Sequence, residues 1–130
     1  MSRLERVYFA IGLIIISVLV DWLFRGRGIG IDNVGTSFGL RVGYVGGVEA
    51  LVLLTLVIWQ KTRILSSVGI WLIFTGGVAN LLCRIISGSV WDYIKLAWLW
   101  FNIPDIMVFA GVVIIISNDI WKSYGKMKTS

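Results

Sequence analysis

Near its start the chain reads Val7-Tyr-Phe-Ala-Ile-Gly-Leu-Ile-Ile-Ile-Ser-Val-Leu-Val20, an uncharged and largely apolar run that continues beyond Asp21 with Trp22 to Phe24. A membrane span takes about 20 apolar residues, so this run is of the right length. It differs from a cleaved secretory signal because no small-residue cleavage site follows it and further apolar runs come after it. We therefore interpret it as an uncleaved first span.

The rest of the chain has the composition of a membrane protein. Of its 130 residues, 58% are hydrophobic and 15% are charged, whereas an ordinary globular chain is about 25% charged. The apolar runs predict transmembrane helices at about residues 7–24, 43–59, 64–82 and 103–120. The fold that we expect is an all-α membrane protein with four transmembrane helices, in which residues 1–130 form a single membrane domain.

The residue inventory excludes several kinds of active site. The chain has no histidine, so it cannot build a Ser-His-Asp triad, a Cys-His pair or a zinc site with histidine ligands. Its single cysteine, Cys83, cannot form an internal disulfide. We expect no metal and no organic cofactor. The net charge of +5 is attributed to cationic flanks of membrane helices and not to binding of nucleic acid.

Lysines and arginines are divided unequally between the two sides of the predicted domain. The head, the loop at residues 61–63 and the tail carry seven of them, whereas segments 25–41 and 83–102 carry five. Because cytoplasmic loops are enriched in these residues, we expect both termini in the cytoplasm. Segments 25–41 and 83–102 would then meet at the outer face, where functional residues are expected.

Polar side chains at the ends of the predicted spans indicate a functional site, because such residues are costly in a membrane. Those that fall at the predicted outer ends are Asp21, Asn33, Asn80, Arg84, Asp92, Asn102 and Asp105. Glu49 lies within the second span instead. Segment 25–41 also contains five glycines, which suit turns, bulges or a close approach to a ligand. A flexible linker is the alternative interpretation of that segment.

The sequence Phe101-Asn-Ile-Pro-Asp105 predicts the start of a helix. Asn102 is a good N-cap and Pro104 is tolerated in the first turn, so Asp105 falls at about the third helical position. Asp92 precedes Asp105 by 13 residues, and the two carboxylates would meet if the connection folds back. One would then act as a base on water while the other donates a proton to a peptide carbonyl. A helix cap and a separate ion pair are the alternative.

Five short motifs follow one another along the chain. They are Asp21-x-x-x-Arg25, Asn33-x-Gly35-x-x-Phe38, Gly76-Gly77-x-x-Asn80-x-x-Cys83-Arg84, Gly88-x-Val90-x-Asp92-Tyr93 and Phe101-Asn102-x-x-Asp105. In this order, on a chain with four predicted spans, they resemble the motifs of the lipoprotein signal peptidases (signal peptidase II). No single motif is specific, but the resemblance extends from the first span to the last.

The resemblance implies a membrane aspartic protease of the bacterial cytoplasmic membrane, with its active site at the outer face. It would remove the signal peptide from prolipoproteins by cutting before a diacylglyceryl-modified cysteine, and would need no cofactor. Its partners would be these substrates, membrane lipid and inhibitors of the globomycin type, and we expect a monomer. Segment 25–41 falls where the family has a small extracytoplasmic β-cradle after helix 1.

Site residues follow from the same resemblance, position by position. Asp92 and Asp105 match the catalytic pair. Asn33, Asn80, Arg84 and Asn102 match polar residues that contact the substrate or the inhibitor. Asp21, Gly35 and Glu49 are expected to support the site, although Glu49 has no counterpart in the family.

Three positions depart from the family pattern, and the stretch between Asp92 and Asp105 is shorter than usual. One of the three is Pro104, where the family usually has alanine. Cys83 stands where the family has an aspartate beside the arginine, and Arg25 replaces the usual lysine. We hypothesise that Glu49 supplies the missing acid by pairing with Arg84. Glu49→Gln should then impair activity or stability and Cys83→Asp should partly restore it, whereas indifference to both changes would exclude the pairing.

Other functions stay open from the sequence. A non-catalytic relative would bind lipidated peptides without cutting them. A four-span exporter would exchange protons for a lipophilic cation through Glu49, but that function does not account for the polar residues at the outer ends. Cys83 beside Arg84 could act as a nucleophile, although a small apolar filler at a helix end is the simpler explanation.

Overall fold

The structure is a computed structural model, and it describes residues 3–34 and 68–128. The helices are α1 (Arg3–Gly26), α2 (Val68–Ser87) and α3 (Ile103–Lys128). The strands are β1 (Ile31–Asn33), β2 (Val90–Asp92), β3 (Ile94–Leu96) and β4 (Leu99–Phe101). The second predicted span, at about residues 43–59, lies outside the described residues.

Each of the three described helices is long and apolar enough to cross a membrane. The qualifying segments are Leu4–Gly26, Val68–Ser87 and Ile103–Trp121. Many large apolar side chains of α1 and α3 are exposed, while the buried side chains include several polar ones. The buried polar set includes Asp21, Asn33, Asn80, Asp92 and Asn102. An apolar exterior around a polar cluster is expected of helices that face lipid.

Helix α2 extends to Ser87, whereas the apolar run predicts an end near residue 82. The helix ends where Gly88 takes a positive φ of 78° and donates its backbone N–H to the Arg84 carbonyl oxygen at 2.9 Å. Glycine adopts this left-handed conformation without steric cost, so it terminates helices. Cys83 and Arg84 therefore belong to α2 and not to the segment that follows.

Helices α2 and α3 pack closely because glycines line their contact. An alanine Cβ built at Gly69 would lie 2.6 Å from the Gly111 carbonyl oxygen, and one built at Gly76 would lie 2.5 Å from the Pro104 carbonyl oxygen. Both distances are shorter than van der Waals contact. Small residues permit this close approach of helix backbones in membranes. The close packing fixes the start of α3 relative to α2.

Two small antiparallel sheets lie at the ends of the helices. Strand β1 pairs with β2, which places Ile31 opposite Asp92 and Asn33 opposite Val90. Strands β3 and β4 form a hairpin whose turn contains Ala97 at a φ of 55°. The hairpin folds the chain back between Asp92 and the start of α3.

Candidate active site

The start of α3 is built as its sequence predicts. The Asn102 side-chain oxygen accepts a hydrogen bond from the Asp105 backbone N–H at 2.9 Å, and the Asp105 carboxylate accepts one from the Asn102 backbone N–H at 3.4 Å. This reciprocal pattern is a capping box, in which the cap and the third helical residue satisfy each other's free N–H groups. Asp105 also accepts a hydrogen bond from Asn80 Nδ2 of α2 at 2.9 Å.

Asp92 ends strand β2 and is only 1% exposed. Its two carboxylate oxygens accept hydrogen bonds from Asn33 Nδ2 and from Asn102 Nδ2, each at 2.8 Å. Asn33 comes from β1, which the sheet register places beside β2. Asn102 therefore contacts both acidic residues, because its side chain donates to Asp92 while it caps the helix that carries Asp105.

The surroundings of Asp92 favour its protonated form. Burial, the largest effect, raises the pKa of Asp92 to about 6, and the negative charge of Asp105 acts in the same direction. The amide donors of Asn33 and Asn102 and the positive charge of Arg84 oppose this rise in pKa. A buried carboxyl beside a second carboxylate is an arrangement that can hold a proton near neutral pH.

Tyr93 follows Asp92 and connects the site to α1 and α3. Its hydroxyl oxygen accepts a hydrogen bond from the Ile103 backbone N–H at 3.2 Å, and its ring stacks on Phe24 with centroids 4.6 Å apart. Burial raises the pKa of Tyr93 above its ordinary value of 10, so its hydroxyl stays protonated. No role for Tyr93 was predicted from the sequence.

Most of the residues that the sequence singled out lie at this end of the helices. Asp92, Asp105, Asn33, Asn80 and Asn102 are joined by hydrogen bonds. Arg84 lies near enough for its charge to lower the pKa of Asp92.

Asp21 and Cys83 line a narrow crevice beside these residues, which Asn80, Tyr93 and Asn102 also line. The Cys83 side chain is buried. Gly35 and Glu49 lie outside the described residues, so their predicted supporting roles and the Glu49–Arg84 pairing stay predictions.

A second polar cluster, centred on Arg25, was not predicted from the sequence. Its guanidinium contacts Asp21, Asp32 and Ser89, and Asp21 in turn accepts the backbone N–H of Trp91. The spacing of Asp21 and Arg25, four residues apart on one helix, is a signal that predicts their contact. Arg25 also contacts residues in the segment 89–91, which is far away in sequence, and no local pattern in the sequence predicts those contacts.

A family model described as signal peptidase (SPase) II matches residues 30–121 of the chain. Two curated relatives are named lipoprotein signal peptidase. The protein from Caulobacter vibrioides is 34% identical over 110 residues, which cover 75% of this chain and 66% of the relative. The protein from Fusobacterium nucleatum is 26% identical over 102 residues, which cover 70% of this chain and 62% of the relative. The chain thus spans just under two thirds of the length of these relatives.

Two solved structures of bacterial membrane enzymes have a similar fold. One aligns with a TM-score of 0.80 and 21% identity over 94% of this chain and 91% of that chain. The other aligns with a TM-score of 0.72 and 22% identity over 88% and 91% of the two chains. Since the family model covers most of this sequence, the chain belongs to the signal peptidase II family.

Proposed function

We propose that this chain is a membrane aspartic endopeptidase that removes signal peptides from prolipoproteins and cuts before the diacylglyceryl-modified cysteine. The observation that carries the proposal is the shared contact of Asn102 with Asp92 and Asp105. In a chain of this family, two acidic residues held by one amide side chain, one at the end of a strand and one in the first turn of an apolar helix, suit hydrolysis of a peptide at the membrane surface.

The two acids differ in environment, and we assign them different roles. Asp105 occupies the first turn of α3, where the helix dipole favours a negative charge, so it is the base. Asp92 is buried and keeps the shared proton, so it is the acid. Asp105 removes a proton from water, whose oxygen attacks the scissile carbonyl carbon, while Asp92 donates its proton to the carbonyl oxygen. The C–N bond of the intermediate then breaks as the amine nitrogen takes the proton that Asp105 removed from water, while a hydroxyl of the intermediate returns a proton to Asp92 as the new carboxyl group forms.

The amide residues around the pair would orient the substrate. Asn80 donates to Asp105 through Nδ2, whereas its buried Oδ1 accepts no hydrogen bond from any described residue. A buried acceptor in this position is suited to a backbone N–H of the substrate. Asn33 and Arg84 complete the proposed binding residues, and Asp21 supports them. The sheet of β1 and β2 would form part of the β-cradle that the family resemblance implies.

Location and partners belong to the same proposal. The site would face the outer surface of the bacterial cytoplasmic membrane, with both termini in the cytoplasm. The lipid chains of the substrate would then remain in the bilayer while the scissile bond reaches the carboxylates. We propose a monomer that binds globomycin-type inhibitors at this site. The comparisons do not favour a cation exporter.

The proposal is tested by incubating the purified protein in detergent with a diacylglyceryl-modified prolipoprotein and following cleavage by gel shift. Asp92→Asn and Asp105→Asn should each abolish cutting. Asp119→Asn is the matched control, because it makes the same change about 21 Å further along α3 and should cut like the parent.

Binding of globomycin and thermal unfolding report whether each variant is folded. A parent that binds globomycin but does not cut would exclude the protease and favour the non-catalytic relative. If either Asp92→Asn or Asp105→Asn still cuts the substrate, Asp92 and Asp105 are not the catalytic pair.

A further inference from the structure

Arg25 lies in the last turn of α1 and contacts three residues from different parts of the chain. Its Nε donates to Asp21 Oδ2 at 3.3 Å, and its Nη1 donates to Asp32 Oδ1 at 3.2 Å and to Ser89 Oγ at 3.1 Å. Its Nη2 donates to the Ser89 backbone oxygen at 3.2 Å. One guanidinium therefore joins α1, strand β1 and the residue that precedes strand β2.

The cluster around Arg25 also holds Trp91, the residue that precedes Asp92 in the chain. Asp21 Oδ1 accepts a hydrogen bond from the backbone N–H of Trp91 at 2.6 Å, and the Trp91 indole N–H donates a hydrogen bond to the Ile29 backbone oxygen at 2.8 Å. The Arg25 guanidinium carbon lies 5.1 Å from the centre of the Trp91 ring, within the range of a cation–π contact. Trp91 is thus held by its backbone, its indole nitrogen and its ring.

From these contacts we infer that Arg25 is a positioning residue, which fixes strand β2 through Asp21 and Trp91 and so sets the place of Asp92. Arginine suits this task because its planar fork presents several N–H groups in fixed directions. A lysine offers a single nitrogen on a flexible stem, so it cannot make the same set of contacts at once. The inference rests on the proposed protease function.

Arg25 orients its partners more than it stabilises the folded protein. Its side chain is 23% exposed, and the side chain of its partner Asp32 is 49% exposed. Ion pairs that reach solvent in this way contribute little to folding. Asp21 is 6% exposed, so its orientation depends on the groups that bind it. We therefore expect variants of Arg25 to fold.

The experiment compares Arg25→Gln and Arg25→Lys with Arg27→Gln, a matched control that removes an exposed arginine two residues further on. The kcat of Arg25→Gln should fall roughly tenfold to a hundredfold while KM changes less than twofold, because a small displacement of a catalytic group slows the chemical step. Arg25→Lys should recover part of this loss, and Arg27→Gln should behave like the parent.

A second measurement needs no substrate. Hydrogen–deuterium exchange of the Trp91 amide should accelerate at least tenfold in Arg25→Gln and stay unchanged in Arg27→Gln, since Asp21 would no longer be held as its acceptor. Unchanged exchange overturns the inference, whether or not the parent cuts. A parent that does not cut refutes the proposed function alone. If the parent cuts, a normal kcat in Arg25→Gln, or full activity in Arg25→Lys, also overturns the inference.

Discussion

Replacing Gly76 by alanine inserts a methyl group into the closest contact between α2 and α3. The new Cβ would lie 2.5 Å from the Pro104 carbonyl oxygen and 3.0 Å from Val108 Cγ2. A carbon and a carbonyl oxygen approach to no less than about 3.3 Å, so the helices must separate here by about 0.8 Å.

The separation reaches the proposed active site because Asn80 lies one helical turn beyond Gly76. The hydrogen bond from Asn80 Nδ2 to Asp105 Oδ1, now 2.9 Å, would lengthen to about 3.7 Å, beyond the limit of about 3.2 Å for such a bond. Losing a hydrogen bond to a charged group costs about 1.5–3 kcal/mol, and overpacking costs about 1–3 kcal/mol. We expect lower thermal stability and cleavage that is about 10-fold to 100-fold slower.

Gly12→Ala is the matched control for Gly76→Ala. It makes the same change in a membrane helix, but nothing lies within 4 Å of the new Cβ. Thermal unfolding in detergent and the rate of prolipoprotein cleavage are measured for both variants and the parent. The control should match the parent in both. A Gly76→Ala variant that also matches the parent would refute the argument that glycine packing positions Asp105.

Asn102→Ser separates helix capping from contact with Asp92, since serine is a good cap but is too short to reach that carboxylate. We expect thermal stability to fall by about 1–3 kcal/mol, because one oxygen of the buried Asp92 carboxyl loses its donor, and cleavage to be at least tenfold slower; equal rates would show that the contact is dispensable for catalysis. Because the pKa of Asp92 is about 6 in the folded protein against an ordinary 3.8, the folded state binds more protons between these values. The free energy of unfolding should therefore rise as pH falls from about 6 to 4, and Asp92→Asn should flatten this rise. As the proposed acid, Asp92 should also make kcat/KM fall above about pH 6, and a flat profile from pH 6 to 8 would contradict that role. Ala97→Gly should stabilise the protein by about 0.5–1 kcal/mol, because the φ of 55° at the β3–β4 turn is strained for alanine. The control, Ala110→Gly within α3, should destabilise the protein instead. Thermal unfolding temperatures in any other order would refute the strain at Ala97.

Local signals in the sequence predict the start of α3 correctly. Asn102, Pro104 and Asp105 are neighbours, and the capping preferences that place them depend only on adjacent residues. The membrane class is predicted for a similar reason, since the length of an apolar run is a local property. Functional residues were expected in the segment that follows α2, but the strands β2, β3 and β4 that it forms could not be derived.

Contacts between distant parts of the chain could not be derived from the sequence. Strand β1 pairs with a strand about sixty residues away, and only that pairing brings Asn33 to Asp92. The role of Arg25 depends on the same pairing, because Ser89 and Trp91 are far from it in sequence. Asn33 was predicted as a site residue both from its position at a predicted outer end and from the family resemblance, but neither paired it with Asp92.

The two acids of the proposed pair are carried by different parts of the fold. Asp105 belongs to α3, which packs against α2 through glycines, whereas Asp92 belongs to a sheet attached to α1. The geometry of the pair therefore depends on how the sheet is held against the helices, and Asn102 is one link between them. A bilayer that is thicker or thinner than the helices changes their tilt. We therefore expect the hydrophobic thickness of the surrounding lipid to affect the distance between the two carboxylates, because it acts on the helices that position them.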